Sequence, residues 1–203
     1  MKKSFTYALP LLVGLILGGC ASFFTPSNET TAEVARDLSE QSLYVSSFSF
    51  VNQDEDAVTD EDFHGSYWLA TMTFTDCPTI CNMMTPNMAE IQEASEEQGL
   101  ALSFVSFTVD PATDTPDVLQ TYGEQYNVDF SNWDFLTGYD PNEIEQFVEE
   151  SFHSTVLNDP ADPDIIHTTN FFLINDEGQV VRSYDGLNSN IPPIISDLES
   201  VIH

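Results

Sequence analysis

The chain has 203 residues, 41% of them hydrophobic, which is the size of one domain with a buried core plus a short additional segment. Its charge is lopsided: four Lys and Arg stand against 34 Asp and Glu, a formal net charge of −30. A surface so acidic repels itself, anionic lipid and nucleic acid, and the last is excluded as a partner.

The first residues read as a targeting segment. Lys2 and Lys3 precede a mostly apolar run, Phe5 to Leu17, too short and too weakly flanked for a settled transmembrane helix. The run ends in Leu17-Gly18-Gly19-Cys20, which resembles a bacterial lipobox. On that reading residues 1–19 are a signal peptide and Cys20 is the acylated first residue of the mature chain. An uncleaved anchor with an incidental cysteine is the alternative. Either way the remainder is held at the cell membrane on its extracytoplasmic, oxidising side, and durable attachment takes more than one acyl chain. Lys2 and Lys3 leave with the signal, so Arg36 and Arg182 alone face all 34 carboxylates. A salty exterior would make this tolerable, since the screening length at about 1 M salt is only about 3 Å. An acidic funnel for metal cations is the second explanation.

Residues 20–42 are small, polar and without apolar period, and read as a tether; the domain proper is expected over 43–203. Phe48 to Val51 reads as a short strand, Asn52 to Gly65 as an acidic turn region, and Tyr67 to Phe74 as a buried strand. After Cys77, Pro78 suits a first helical turn, and Met84, Met88 and Ile91 recur at helical spacing until Gly99 stops the helix. Leu100 to Val109 is a second core strand. Thr115 and Pro116 fit the cap and first position of a helix carrying Val118, Leu119 and Tyr122 inward. Trp133 to Leu136 is a strand, and Asp140-Pro141 opens a helix with Ile144, Phe147 and Val148 inward. Residues 157–164 form a loop, Thr169 to Ile174 and Gln179 to Tyr184 a hairpin around Asn175 to Gly178, and Pro192-Pro193 opens a final helix. Strands alternating with helices, then a closing hairpin and helix, indicate an α/β sandwich: a central mixed β-sheet with helices on both faces.

Chemistry concentrates at Cys77 and Cys81. Two residues four apart on a helix share a face with α-carbons about 6 Å apart, within the roughly 4.4–6.8 Å that a disulfide accepts. The same spacing lets two thiolates converge on one soft ion. A helix N-terminus favours thiolate, which makes the pair reactive. A structural disulfide is the alternative, although so short a loop staples little of the chain. His167, at the mouth of a core strand, is either a surface cap or the nitrogen partner of the dithiol; two sulfurs and an imidazole suit copper as Cu(I) or Cu(II). His64, His153 and His203 lack such a setting and read as surface residues. Met83, Met84 and Met88 fit core packing better than ligation. Asp110 and Asp114 follow a core strand, where they orient His167 or a bound ion, or Asp114 only helps cap the next helix.

Phe74-Thr-Asp-Cys77-Pro-Thr-Ile-Cys81, Val109-Asp110-Pro111-Ala-Thr-Asp114-Thr115-Pro116, Thr137-Gly138 and His167-Thr168-Thr169 through Leu173-Ile174 occur together in an order and spacing that resemble the Sco (SenC) family. These are membrane-tethered copper chaperones of cytochrome c oxidase assembly with a thioredoxin-like fold. The resemblance covers about residues 45–203. It implies Cys77, Cys81 and His167 as copper ligands, Asp114 as an outer residue, and oxidase subunit II as partner. Copper donation to its binuclear site, reduction of its cysteine pair, or both would be the task. Many members carry Pro after the second cysteine; here Asn82 takes that place, a small expected change in geometry.

Three activities compete: copper carriage without catalysis in the usual sense, dithiol–disulfide exchange, and peroxide reduction. The third lacks the expected Pro-x-x-x-Thr-x-x-Cys arrangement, and the second leaves His167 without a task and departs from the usual Cys-x-x-Cys spacing. A monomer is expected of a tethered carrier. The charge imbalance generates a direct expectation: the thermal unfolding midpoint should climb from dilute to molar NaCl, and a flat midpoint would remove the screening argument.

Overall fold

The computed structural model describes residues 34–77, 80–158 and 164–202. Its framework is a six-stranded sheet in the order β1-β10-β9-β4-β5-β6. The strands are β1 (Ala35–Asp37), β4 (Tyr67–Thr73), β5 (Leu102–Thr108), β6 (Trp133–Leu136), β9 (Asn170–Ile174) and β10 (Val180–Asp185). β4, β5 and β6 run parallel, whereas β9 lies antiparallel to β4, β10 to β9 and β1 to β10, so the sheet is mixed as expected. Two small ribbons accompany it: β2 (Ser49–Val51) with β3 (Ala57–Thr59), and β7 (Leu157–Asn158) with β8 (Ile165–Ile166).

Strand alternation sends neighbouring side chains to opposite faces, each covered by helices. Leu69, Phe104, Phe135, Phe171 and Leu173 pack with Met84, Met88 and Ile91 of α1 (Cys81–Glu97), Leu119 and Tyr122 of α2 (Pro116–Gln125), and Ile194 and Leu198 of α4 (Ile191–Ile202). The intervening residues Ala70, Val105, Leu136, Phe172 and Ile174 pack with Ile144, Phe147, Val148 and Phe152 of α3 (Pro141–Phe152) and with Phe50 and Val58 of the β2–β3 ribbon. Helix ends follow local chemistry. Asp140 accepts from the amides of Asn142 and Glu143 at the start of α3, Pro116 takes the first position of α2, and Gly99, at φ +69°, ends α1 where a side chain would be strained.

Several elements differ from the sequence reading. The first strand among the described residues, β1, lies inside the 20–42 stretch expected as tether, and Leu38 is already buried. A three-residue strand has no apolar period to read. It is held by backbone pairing to β10 and by Arg182, whose Nη1 lies 2.7 Å from Asp37 Oδ1 and whose Nε lies 3.6 Å from Asp197 Oδ2 on α4. The acidic turn region contains β3 and a single helical turn over Asp60–Phe63, closed by reciprocal bonds between Thr59 and Asp62. Val118 and Met83 face solvent, because α2 and α1 turn Leu119 and Met84 to the sheet instead. Pro78, its expected role in a first helical turn, and residues 159–163 of the expected loop lie outside the described residues.

Phe107 stands at the centre of the α3-side core, fully buried, with ring centroids of Phe147 at 4.9 Å, Phe48 at 5.6 Å and Phe50 at 6.3 Å. Phe107→Ala should cost about 3–5 kcal/mol in denaturant unfolding, and Phe107→Leu well under half of that.

Candidate metal centre

Three segments meet at the C-terminal end of β4. The loop leaving β4 carries Cys77, the first turn of α1 carries Cys81, and the segment entering β9 carries His167. The sheet makes this meeting possible, because β9 runs antiparallel to β4 and its beginning therefore lies beside β4's end. All three side chains are buried: Cys81 is 1% exposed, Cys77 and His167 7% each.

His167 is held in one tautomer. Its Nδ1 lies 2.8 Å from the carbonyl oxygen of Thr168, and because a carbonyl only accepts, Nδ1 carries the proton. Nε2 is then a lone pair, and it lies 3.7 Å from the Cys81 sulfur. Burial holds the imidazole below its ordinary pKa, so it stays neutral at physiological pH despite the opposing influence of the Thr168 carbonyl and Asp164. The Phe74 ring meets the imidazole edge to face at 5.9 Å and fixes its plane.

The cysteines are placed differently from the sequence reading, which set both on one helical face. Cys77 precedes the helix, and the Cys81 amide donates to its sulfur at 3.3 Å. Cys81 opens the helix, yet its thiol is not made acidic by that position. Burial, with the neighbouring Cys77, pushes it up to about 12, outweighing the Phe74 amide and the Thr73 hydroxyl, which act the other way. The general rule that a helix N-terminus favours thiolate loses here to desolvation. Both sulfurs are thiols. Among the described residues no three His, Cys, Asp or Glu side chains stand together as a finished cation site. Cys81 and His167 are nevertheless spaced as two ligands of one ion would be. Bonds of about 2.3 Å to sulfur and 2.0 Å to nitrogen, at tetrahedral to trigonal angles, separate the donors by about 3.5–3.7 Å.

Two hydrogen-bonded straps set the parts in register. On one side Asn87 of α1 donates to the Gly186 carbonyl at 2.8 Å, and the Gly186 amide donates to the Thr169 carbonyl at 2.8 Å, two residues past His167. Glycine is required there, since a Cβ would stand 2.5 Å from that same carbonyl. On the other side Asp114, 1% exposed, accepts from the Thr75 hydroxyl at 2.6 Å, from the Thr75 amide at 3.2 Å and from the Thr108 hydroxyl. It thereby ties the end of β5 to the loop that carries Cys77. Its carboxylate is turned to these threonines, and Thr115 caps α2 with no side-chain bond. Asp110 takes part through its backbone: its amide donates to the Thr108 hydroxyl and its carbonyl accepts from the Thr113 and Asp114 amides.

Other sequence candidates separate cleanly. His64 and His153 are exposed and His203 lies outside the described residues, as does Cys20. Met84 and Met88 are core, whereas Met83 is 51% exposed beside Cys81, and Ile166, next to His167, is 65% exposed. Asn82 accepts from the Tyr126 hydroxyl at 2.9 Å, a use for the residue that departs from the Sco pattern. The residues missed by sequence reasoning are Asn87, Gly186 and Thr75, whose work is hydrogen bonding across the fold and leaves no local motif.

Asp114 offers a signed pH test. Burial raises its pKa above the ordinary 3.8, more than its threonine bonds lower it. A raised folded pKa gives stability that is full below the unfolded value and lost as pH rises through the folded one. Asp114→Asn does not titrate, so the stability difference, variant minus wild type, should move toward the variant as pH rises above the ordinary carboxylate value of about 4. Urea unfolding across that range measures it, and a constant or opposite difference would contradict the assignment.

The SCO1/SenC family model matches residues 36–203. A SCO1/SenC family lipoprotein from Bacillus anthracis superposes with a TM-score of 0.76 at 36% identity, covering 80% of this chain and 96% of that one. BsSco, a member of the Sco family of cytochrome c oxidase assembly proteins, gives 0.72 at 38%, covering 78% and 93%. Yeast Sco1 solved with copper bound gives 0.62 at 25%, covering 78% and 90%. The mixed sheet with helices on both faces is thus the fold of Sco proteins, and the chain belongs to the SCO1/SenC family.

Proposed function

We propose that this chain carries copper for cytochrome c oxidase assembly. Cys77, Cys81 and His167 are the ligands, and the binuclear copper site of oxidase subunit II is the destination. The observation that carries this reading is the unprotonated Nε2 of His167 held 3.7 Å from the Cys81 sulfur by a carbonyl bond on its far nitrogen. Metal-binding histidines are oriented in this way, by giving their other N–H to a carbonyl or carboxylate. Thiolates select Cu(I), while the imidazole extends the set to Cu(II). Copper is cargo, so the site must serve both uptake and release. Each thiol that binds gives up its proton, so uptake strengthens as pH rises. The family's named role supports oxidase assembly, and copper in a relative supports the cargo.

The domain is held at the outer face of the cell membrane by acylation at Cys20, after removal of residues 1–19, with the residues up to β1 as tether. A lipoprotein among the relatives supports this. Asp114 positions the Cys77 loop through Thr75. Reduction of the partner's cysteine pair is compatible with the same dithiol. A purely redox role fits less well, because Cys81 is 1% exposed and protonated, whereas thiol exchange proceeds through an accessible thiolate.

Reduced protein should take up one Cu(II) per chain with a sulfur-to-copper charge-transfer band. His167→Ala should weaken Cu(II) at least tenfold more than Cu(I), on the scale of about 10–100-fold for a lost ligand-shell contact. Titration by absorbance and mass spectrometry decides it; uptake unaltered in both Cys77→Ser and His167→Ala would refute the ligand set.

A further inference from the structure

We propose that the cleft between β10 and the end of α3 binds a phosphate group, carried by a small organic phosphate or by a lipid headgroup, with Arg36 and Ser183 as its principal donors. None of its residues is a proposed copper ligand, and the proposal stands apart from the copper reading. It starts from charge. In a chain with 34 carboxylates a guanidinium readily finds a counterion, and Arg182 does so at Asp37 and Asp197. Arg36 makes no ion pair and no side-chain hydrogen bond among the described residues. The cleft that it lines includes His153 and no carboxylate among the described residues. Four other clefts each include a carboxylate, among them Asp117, Glu143, Glu93 and Glu199.

Strand register builds the site. Arg36 pairs opposite Ser183, and Ser183 opposite Phe172, so the three side chains form one row across β1, β10 and β9 on a single face of the sheet. Phe172 packs on Phe152 of α3, with ring centroids 4.8 Å apart, which places the row on the α3 side. α3 stops at Phe152, and the outer part of the row lines a cleft of about 400 Å³. That is more room than a bare ion needs and lies within the roughly 300–1,000 Å³ of small-molecule sites. Ser183 is a second, independent sign of a ligand. It is 8% exposed, and its hydroxyl lines the cleft without a hydrogen-bond partner among the described residues. A buried hydroxyl in that position has lost water without return, and an acceptor entering the cleft restores the bond.

The chemistry of the lining selects the guest. Arg36 presents a planar fork of N–H groups that matches two oxygens of a phosphate at once. The side-chain amides of Gln41 and Asn170 and the ring of His153 add further N–H donors. Donors arriving from several elements suit a tetrahedral group better than a flat carboxylate. The carbonyls at the end of α3 would oppose an anion, but they are engaged: those of Val148 and Glu149 accept from backbone amides, and that of Phe152 from the Ser154 hydroxyl. The chain's overall negative charge repels anions at long range, yet that repulsion is screened beyond about 8–10 Å at ordinary ionic strength, whereas the guanidinium acts at contact.

The test titrates the full chain, in uncharged detergent at fixed ionic strength, with glycerol 3-phosphate and separately with short-chain phosphatidylglycerol, and follows the ligand by phosphorus NMR. Saturable binding of at least one is expected. Saturation by glycerol 3-phosphate shows that the phosphate group suffices, and saturation by phosphatidylglycerol alone assigns the lipid headgroup. Arg36→Gln should weaken binding about tenfold and Ser183→Ala about threefold. Arg36 is exposed, so its variant should fold, and Ser183→Ala carries the test if it does not. Wild-type protein that binds neither ligand overturns the proposal, as does binding unaltered in both variants. Acetate that competes as well as phosphate overturns it in favour of a carboxylate site.

Discussion

The antiparallel pairing of β9 on β4 is the constraint from which the rest follows. Trp68 opposite Ile174, Leu69 opposite Leu173 and Ala70 opposite Phe172 set a register in which the start of β9 lies beside the end of β4. The helix that opens with Cys81 begins beyond that end, and the segment carrying His167 arrives there. A slip of one residue would send Phe171 and Leu173 to the α3 face and Phe172 to the α1 face, disrupting both cores together. Burial of those residues fixes the register, and the register in turn brings the imidazole to the sulfur. The candidate centre is positioned by core packing first and by its own polar contacts second.

Those polar contacts convert approximate placement into a defined geometry. Packing alone tolerates shifts of several tenths of an ångström, which would blur a sulfur–nitrogen separation that matters at that scale. The strap from Asn87 through Gly186 to Thr169 joins the helix of Cys81 to the segment of His167, and the Asp114 clamp on Thr75 joins β5 to the loop of Cys77. Asp114 remains buried despite the cost of desolvating a carboxylate, because three donors from two threonines surround it. Cys77 and His167 both stand on connecting segments, and Cys81 alone of the three opens a packed helix.

Legibility in the sequence tracked the range of the interaction. The central strands, α1, α3 and the closing hairpin were readable because each carries its own period or turn residues, and Cys77, Cys81 and His167 because their chemistry is rare in a chain of this composition. β1 was hidden because its partner residues lie around position 183 and its own three residues carry no apolar pattern. Val118 and Met83 were misplaced because an apolar side chain at a helix rim satisfies the same spacing as one at its centre. The acidity of Cys81 was misjudged for a deeper reason: sequence locates a helix N-terminus but not the depth at which it lies, and here depth outweighs the dipole.

The same depth separates the site from the chain's extreme charge. His167 is neutral and Cys81 protonated, so these two groups contribute little field of their own, while the carboxylates that dominate the net charge are mostly exposed and outside the sulfur–imidazole couple. Surface acidity acts over a screening length of about 8–10 Å at ordinary ionic strength and less in concentrated salt, so it governs how the domain meets solvent and partner. It does not choose the ion. On the proposed ligand set, softness and donor geometry outweigh net charge in that choice. Acidity and a soft-donor centre are therefore compatible: apart from buried groups such as Asp114, the hard oxygen donors face outward, and the sulfur and nitrogen donors are buried at the end of β4.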